Sequence, residues 1–166
     1  MPLKFWLPER SSFVDEFVRL EGRGNSCQWT SCSCGYEEPE HCCDDCFSQH
    51  LSCKECTVQA HRNLPLHRIK HWLGGYFADF TLKSLGLHVQ LGHKPGGVCP
   101  NQQAAFDNNF VVIDVHSIHA IGLDFCGCEL TTTRCRQLLC ACWFPVTVDH
   151  PHTAATFSVL QFFKPM

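Results

Sequence analysis

One stretch decides the fold of this chain: residues 32–67 read CSCGYEEPEHCCDDCFSQHLSCKECTVQAHRNLPLH. Cysteines and then histidines recur in it as closely spaced pairs: Cys32-x-Cys34, Cys43-x2-Cys46, Cys53-x2-Cys56 and His61-x5-His67. A Cys-x2-Cys pair places two thiolates on one tight turn, where both can reach a single ion at ~2.3 Å. Aliphatic residues are sparse in this stretch, so it needs cross-links rather than a hydrophobic core. The pairs together supply the ligands of two tetrahedral zinc sites.

The even spacing of the pairs predicts a cross-brace, in which alternate pairs share a metal. The first zinc site would then consist of Cys32, Cys34, Cys53 and Cys56. The second would consist of Cys43, Cys46, His61 and His67. A tandem arrangement, in which adjacent pairs share a metal, is the alternative. Three nearby side chains could also replace a predicted ligand: Cys27, Cys42 and His41. Four protein ligands leave no open coordination position, so sites of this kind are structural.

The cellular compartment decides whether 14 cysteines bind metal or form disulfides. The amino terminus reads MPLKFWLPER, which lacks the apolar core of a signal peptide. The chain also has no run of the ~18 apolar residues that a membrane span requires. We therefore expect a nuclear or cytoplasmic protein with reduced thiols and no membrane partner. A disulfide knot is the alternative, and it would leave the paired histidines unexplained.

Charge argues against tight, non-specific binding to nucleic acid. The formal net charge is -3 and the pI about 6.4, whereas domains that grip phosphate backbones carry a basic excess. A small basic cluster with an aromatic residue is the exception, and it could contact a phosphate backbone and stack a base. Its residues are Arg62, Arg68, Lys70 and Trp72. A solvated face beside a zinc site is the alternative interpretation.

Three segments are predicted along the chain: a lead-in over residues 1–26, the double-zinc cluster over 27–72, and a β-rich subdomain over 73–166. In the lead-in, a helix over about 13–21 would begin at a capping box from Ser12 to Asp15. Its apolar face would dock on the body of the protein.

The β-rich subdomain is predicted from alternating apolar residues and from a continuous β-rich run over residues 110–115. Residues 87–91 predict a strand, and 110–115 with 118–125 predict a hairpin that turns at His116-Ser117. Residues 137–139 could add a third strand. Thr153 would begin a carboxyl-terminal helix that extends to Phe163 and stops at residues 164–166. The sequence thus predicts a small, zinc-stabilised α+β fold, with a cross-brace finger followed by a hairpin-containing subdomain and a truncated terminal helix.

A third zinc site is predicted where the hairpin returns to the loop that precedes it. Its ligands would be His93, Cys99, Cys126 and Cys128. Ordinary buried thiols are the alternative, because Cys-x-Cys is less diagnostic than Cys-x2-Cys. The remaining cysteines are predicted to be buried or free thiols: Cys135, Cys140 and Cys142.

The cluster resembles the B-box and ZZ class of cross-brace zinc fingers. The chain as a whole resembles the CxC-type cysteine-cluster domain associated with KDZ transposases in fungi, over roughly residues 13–163. The landmarks include Leu20-Glu21-Gly22-Arg23, Cys32-Ser33-Cys34, Leu91-Gly92-His93, Phe125-Cys126-Gly127-Cys128, Gln137-Leu138-Leu139 and Trp143-Phe144-Pro145. Two departures are Cys140-Ala141-Cys142 after Gln-Leu-Leu, and His116-Ser117 where an Asn-Gly-like turn is expected.

The resemblance implies a zinc-binding accessory module of a transposase in a nuclear, mobile-element setting. Its partner would be a protein or chromatin, with DNA targeting or a truncated, non-functional remnant as alternatives. Catalysis and a small-molecule substrate are not expected, because the family places its catalytic acidic residues in a downstream region. A phosphoryl-transfer metal site built from Asp114, Asp124 and Asp149 is disfavoured, since nothing else in the sequence supports it.

Overall fold

The computed structural model describes residues 3–28, 30–48, 50–94, 97–129 and 132–163. The helices are α1 (Leu3–Trp6), α2 (Arg10–Glu21), α3 (Lys54–Ala60), α4 (Arg134–Cys140) and α5 (Phe157–Phe162). The strands are β1 (His41–Cys43), β2 (Ile69–Trp72), β3 (Phe77–Phe80), β4 (His88–Gln90), β5 (Gln102–Ala104), β6 (Phe110–Ile113), β7 (Ile118–Cys126), β8 (Trp143–Pro145) and β9 (Thr153–Thr156). Short 3-10 turns lie at Gly24–Gln28 and Phe106–Asn108. This mixture confirms the predicted α+β class and the carboxyl-terminal helix.

Residue contacts divide the chain into two compact units. The first unit comprises residues 1–57 and 69–80, and the second comprises residues 58–68 and 81–166.

The first unit contains an antiparallel sheet in the order β1-β2-β3. His41 pairs with His71, and Ile69 pairs with both Cys43 and Phe80. Apart from cysteines and Pro39, the buried apolar side chains described in this unit are Leu51 and Ile69. So small an aliphatic core is what the sparse apolar content of the cluster predicts.

Helix α2 differs from its prediction in two respects. It begins at Arg10 after the N-cap residue Glu9, which makes no side-chain capping bond, so the capping box predicted at Ser12 is wrong. The helix buries none of its residues, and Phe17 is 68% exposed. The expectation that its apolar face docks on the body of the protein is therefore wrong as well.

The second unit contains a sheet in the order β4-β7-β6-β9-β8, with β5 also paired to β7. The β4–β7 and β6–β9 pairs are parallel, and the other pairs are antiparallel. The predicted β4 strand and β6–β7 hairpin are confirmed. The turn lies one residue earlier than predicted, at Val115-His116, because the Asp114 N–H donates to the Ser117 carbonyl at 2.9 Å.

One hydrophobic cluster holds the second unit together. Alternate residues of β7 point into it, as their alternation predicts. The cluster consists of Leu91, Ala105, Phe110, Val112, Ile121, Leu123, Phe125, Leu138, Trp143 and Ala154. This cluster contains no cysteine side chain.

Two predicted elements of the second unit have different structures. Residues 137–139 lie in α4, capped by the Thr133 hydroxyl, and do not form a third strand. Thr153 begins β9, and the N-cap of α5 lies three residues later at Thr156, whose hydroxyl accepts from the Val159 N–H at 3.4 Å. The stop predicted at residues 164–166 lies outside the described part of the chain.

No helix in the described ranges is both long and apolar enough to cross a membrane.

Candidate metal centres

Three groups of four cysteine and histidine side chains are brought together, each with its ligand atoms within 4.8 Å of one another. The first centre is Cys32, Cys34, Cys53 and Cys56. The second centre is Cys43, Cys46, His61 and His67. The third centre is His93, Cys99, Cys126 and Cys128. These are the predicted sets, and in the first two centres alternate pairs come together rather than adjacent ones.

Half of the first centre is carried on a tight turn. The Cys32 carbonyl accepts from the Gly35 N–H at 2.9 Å, and the Cys32 N–H donates to the Tyr36 carbonyl at 2.8 Å. Gly35 has a φ of 87°, a left-handed conformation that glycine adopts without steric cost. The turn therefore places the side chains of Cys32 and Cys34 on one side.

The other half of the first centre lies at the start of α3. Cys53 immediately precedes the helix and Cys56 lies in its first turn. The Cys53 carbonyl accepts from both the N–H and the hydroxyl of Thr57, each at 2.9 Å, which fixes this end of the helix. The Cys53 N–H donates to Cys32 Sγ at 3.3 Å, and the Cys56 N–H to Cys53 Sγ at 3.4 Å. Such donors stabilise a thiolate, the form of cysteine that binds metal.

Sulfur separations distinguish metal ligation from disulfide bonding. Cys34 Sγ lies 3.7 Å from Cys53 Sγ, and Cys99 Sγ lies 3.6 Å from Cys128 Sγ. A disulfide bond measures ~2.05 Å. Two sulfurs bound tetrahedrally at ~2.3 Å to one zinc ion are about 3.8 Å apart. The observed separations match the metal geometry, and none of the fourteen cysteines, all of which lie in the described ranges, forms a disulfide bond.

The second centre is composed of two cysteines and two histidines. Cys43 ends β1 and is buried, and so is His61. The imidazole rings of His61 and His67 meet edge to face, with centroids 5.4 Å apart. Consecutive turns join these histidines, because the Leu64 N–H donates to the His61 carbonyl and the His67 N–H donates to the Leu64 carbonyl.

The third centre forms at one end of the second unit's sheet. Cys126 ends β7, and Cys128 follows it by two residues. His93 Nε2 lies 3.2 Å from Cys126 Sγ and 3.9 Å from Cys128 Sγ, on either side of the ~3.6 Å expected between nitrogen and sulfur ligands of one tetrahedral zinc. The Cys128 N–H donates to Cys126 Sγ at 3.4 Å. The arrangement combines three thiols with one imidazole.

A buried glutamine holds the third centre to α4. Gln137 Oε1 accepts from the Cys126 N–H at 2.9 Å. Its Nε2 donates to the Cys126 carbonyl and to the Thr132 carbonyl, both at 3.0 Å. Gln137 thus bonds both the N–H and the carbonyl of Cys126, the backbone that carries this ligand. The strand predicted over residues 137–139 did not reveal this role of Gln137. The available signal was a glutamine directly before two leucines.

Gly92 is required where the chain approaches the third centre. Its φ is 79°, and a Cβ built on it would lie 2.5 Å from the Cys126 Cβ. The absence of a side chain lets the backbone before His93 pass close to Cys126.

The thiols of the first centre have unequal acidities. Burial raises the pKa of Cys32, but hydrogen bonds from the backbone of Cys34 and Cys53 outweigh it and lower that pKa to about 6. Hydrogen bonds with the neighbouring thiols raise the pKa of Cys56 to about 12. In the third centre, bonds with Cys126 and Cys99 likewise raise the pKa of Cys128 to about 11. Further thiolates are therefore disfavoured beside the first unless a cation compensates their charge.

The three replacement ligands considered for the cluster have other surroundings. Cys27 Sγ donates to the Gly24 carbonyl at 3.0 Å. Burial raises the pKa of Cys42 to about 11. The ring of His41 lies against that of His71, with centroids 4.8 Å apart. None of the three belongs to the metal-competent groups found among the described residues.

The cysteines outside the three centres are partly exposed. Cys135 Sγ donates to the Val148 carbonyl at 3.0 Å. Cys140 and Cys142 are exposed, as one of the predicted alternatives has it.

The predicted basic cluster is partly neutralised. Lys70 Nζ donates to Asp79 Oδ1 at 2.5 Å and lies 3.7 Å from Asp44 Oδ2. The bond to Asp79 raises the pKa of Lys70. Trp72 contacts Phe77, with ring centroids 4.8 Å apart. Arg62 and Arg68 are exposed.

The carboxylates considered for phosphoryl transfer have separate contacts. Asp114 accepts a hydrogen bond from the Thr156 hydroxyl at 2.6 Å, and Asp124 Oδ2 lies 3.3 Å from His88 Nδ1. Asp114 lies opposite Ser117 at the hairpin turn. Seven residues of extended chain separate Ser117 from Asp124, about 24 Å at the rise of a β-strand. The contact between Asp114 and Asp124 that paired strands would have allowed does not occur.

Comparison with known proteins identifies one family. A model of the CxC2-like cysteine cluster associated with KDZ transposases matches residues 82–166, just over half of the chain. The match includes the third centre; the first two centres and the landmarks before residue 82 lie outside it. No curated protein and no solved structure matches the chain. The likeness of the first two centres to B-box and ZZ fingers therefore stays a prediction.

Proposed function

We propose, on the premise that this chain belongs to the CxC2-like cysteine-cluster family associated with KDZ transposases, that it is a zinc-binding accessory module. Three four-ligand groups carry the proposal, one with four cysteines, one with two cysteines and two histidines, and one with three cysteines and a histidine. All three are ligand sets of structural zinc sites. Zinc bound there would fix chain segments that make few aliphatic contacts. With every tetrahedral position taken by protein, the sites leave no place for water or substrate, so we propose no catalytic role.

Metal content is the direct test. The chain, purified in reducing buffer with zinc, should carry three ions by native mass spectrometry. Cys53→Ala and Cys126→Ala should each lose one ion, from the first and the third centre. Cys27→Ala and Cys135→Ala are matched controls, because these thiols donate to carbonyls outside the centres. Mass deficits that indicate disulfides, with no bound metal, would contradict the proposal.

For the partner, we propose a protein surface, such as a chromatin protein, in the nucleus where a transposase acts. The net charge of -3 and the pairing of Lys70 with two aspartates support protein over DNA. DNA targeting is the competing role. Fluorescence anisotropy with a mixed-sequence duplex should show no binding at physiological salt. Binding that weakens steeply with added salt, and further in Arg62→Ala or Arg68→Ala, would favour DNA instead.

A further inference from the structure

Helix α2 presents an unusually apolar exposed face. Phe13, Val14, Phe17 and Val18 are all exposed, the last two by more than three-fifths. At 3.6 residues per turn these four side chains fall within about 140° of one another. The opposite face is polar, and there Glu16 and Arg19 form an ion pair. An apolar stripe on so short and exposed a helix marks an interaction surface.

A charged side chain lies at each end of the apolar stripe. Arg10 begins α2 and Glu21 ends it, and both are exposed. On the helical wheel they lie about 20° apart, on the midline of the four apolar side chains. The stripe therefore has a cation at its amino-terminal end and an anion at its carboxyl-terminal end.

The pattern is self-complementary about the middle of the helix, between Asp15 and Glu16. A two-fold axis at that point places Phe13 opposite Val18, and Val14 opposite Phe17, of an antiparallel copy. The same axis places Arg10 opposite Glu21, twice. A parallel pair would instead place Arg10 beside Arg10 and Glu21 beside Glu21, which like-charge repulsion disfavours.

We propose that the apolar face of α2 binds the same face of a second copy of this chain, as an antiparallel, two-fold symmetric helix pair. This is an isologous contact, in which one surface patch serves both subunits. It extends toward α1, because Trp6 packs against Phe13 with ring centroids 5.3 Å apart. The pairing is independent of the proposed metal sites.

The proposed helix–helix contact is small, so we expect the dimer to be weak. A helix of this length with two phenylalanines per copy buries area near the ~1,000 Å² at which specific interfaces begin. We therefore expect a dimer with a dissociation constant on the order of 10 µM. Sedimentation velocity of the zinc-loaded full chain, from well below to well above that concentration, should show monomer giving way to dimer.

Two variants on opposite faces of the helix test the surface. Phe17→Glu puts a charge at the centre of the stripe and should weaken the dimer at least about tenfold. Ser12→Glu adds the same charge to the polar face and should leave dimerisation unchanged. Both variants should keep the wild-type metal content, which separates this proposal from the zinc proposal.

Charge exchange tests the orientation. Arg10→Glu, or Glu21→Arg, turns two attractions into two repulsions and should weaken the dimer roughly fivefold to tenfold. The double variant R10E/E21R restores both pairs in an antiparallel contact, but leaves like charges together in a parallel one. Recovery of dimerisation supports the proposal. A chain that stays monomeric throughout, equal loss in Ser12→Glu, or no recovery in the double variant overturns it.

Discussion

The two units differ in the side chains they bury. The first unit buries cysteine thiols and few aliphatic side chains, whereas the second buries aliphatic and aromatic side chains. Apart from Pro39, Leu51 and Ile69 are the buried non-cysteine apolar residues described in the first unit. The second unit packs Phe110, Leu123 and Phe125 into one continuous cluster. Two buried aliphatic side chains contribute about 3–6 kcal/mol, less than the ~10–16 kcal/mol apparent free energy of binding one structural zinc ion. From this difference we expect the first unit to require bound metal in order to fold, and the second unit to fold around its hydrophobic cluster.

Removal of metal should give the largest effect. A strong chelator in reducing buffer should unfold the first unit, because its few buried aliphatic residues cannot offset the chain entropy. Strands β6 and β7 of the second unit should stay folded. Hydrogen exchange read by mass spectrometry would show rapid exchange in peptides from 30–57 and slow exchange in peptides from 110–126. Added zinc should restore protection, and equal loss in both units would break the comparison.

Truncation of a core side chain should do the reverse of chelation: it should destabilise the second unit and leave the first unaffected. Leu123 is fully buried on β7, so Leu123→Ala should lower the free energy of unfolding of this unit by about 3 kcal/mol. Ile118→Ala, on the same strand but mostly exposed, should change it by less than about 0.5 kcal/mol. Urea titration followed by exchange in peptides from 110–126 measures both. All four ligands of the first centre lie in the first unit, so its metal content should stay unchanged, and its loss in Leu123→Ala would contradict a first unit held by metal.

Alanine substitutions at two glycines distinguish the cost of backbone strain from the cost of a steric clash with a neighbouring side chain. Gly86 and Gly92 both have left-handed φ, but a Cβ on Gly86 meets open space whereas one on Gly92 meets Cys126. Gly86→Ala should destabilise the second unit by about 1 kcal/mol, from strain alone. Gly92→Ala should cost about 2 kcal/mol, because overpacking adds to the strain, and should also weaken metal binding at the third centre. Urea titration with metal counting checks both, and equal effects of the two variants would remove the packing argument.

The sequence predicts best what is encoded by local spacing. The metal-competent groups follow from short cysteine and histidine spacings, and the β6–β7 hairpin follows from the β-rich run over residues 110–115 and the alternation over 118–125. Short apolar runs are weaker evidence: Gln137-Leu138-Leu139 fits a strand or a helix, and the Thr133 cap decides for α4. Thr153 and Thr156 are equally good caps, and the pairing of β9 with β6 and β8 selects the second.

Contacts between distant residues could not be predicted in the same way. Helical periodicity in α2 identified an apolar face but not what covers it, and the structure leaves that face exposed. The hydrogen bonds between Gln137 and the Cys126 backbone join residues eleven apart in the sequence. No spacing rule predicts such a contact, because it depends on where the chain turns into α4.

The smallest effect should come from removing the Gln137 hydrogen bonds to the Cys126 backbone while all four ligands of the third centre are kept. Gln137→Met keeps the side-chain length but removes the bonds to the Cys126 backbone, so the affinity of the third centre for zinc should fall about tenfold. Gln90→Met is the matched control, since Gln90 Nε2 donates to the Leu91 and Asp124 carbonyls and contacts no ligand backbone. Competition with a chromophoric chelator measures affinity, and visible absorption after cobalt substitution reports ligand geometry. A cobalt spectrum altered in Gln137→Met but not in Gln90→Met indicates that Gln137 orients the thiolate. An unchanged spectrum and affinity would reduce Gln137 to a core residue, and the third centre would then depend on the sheet alone.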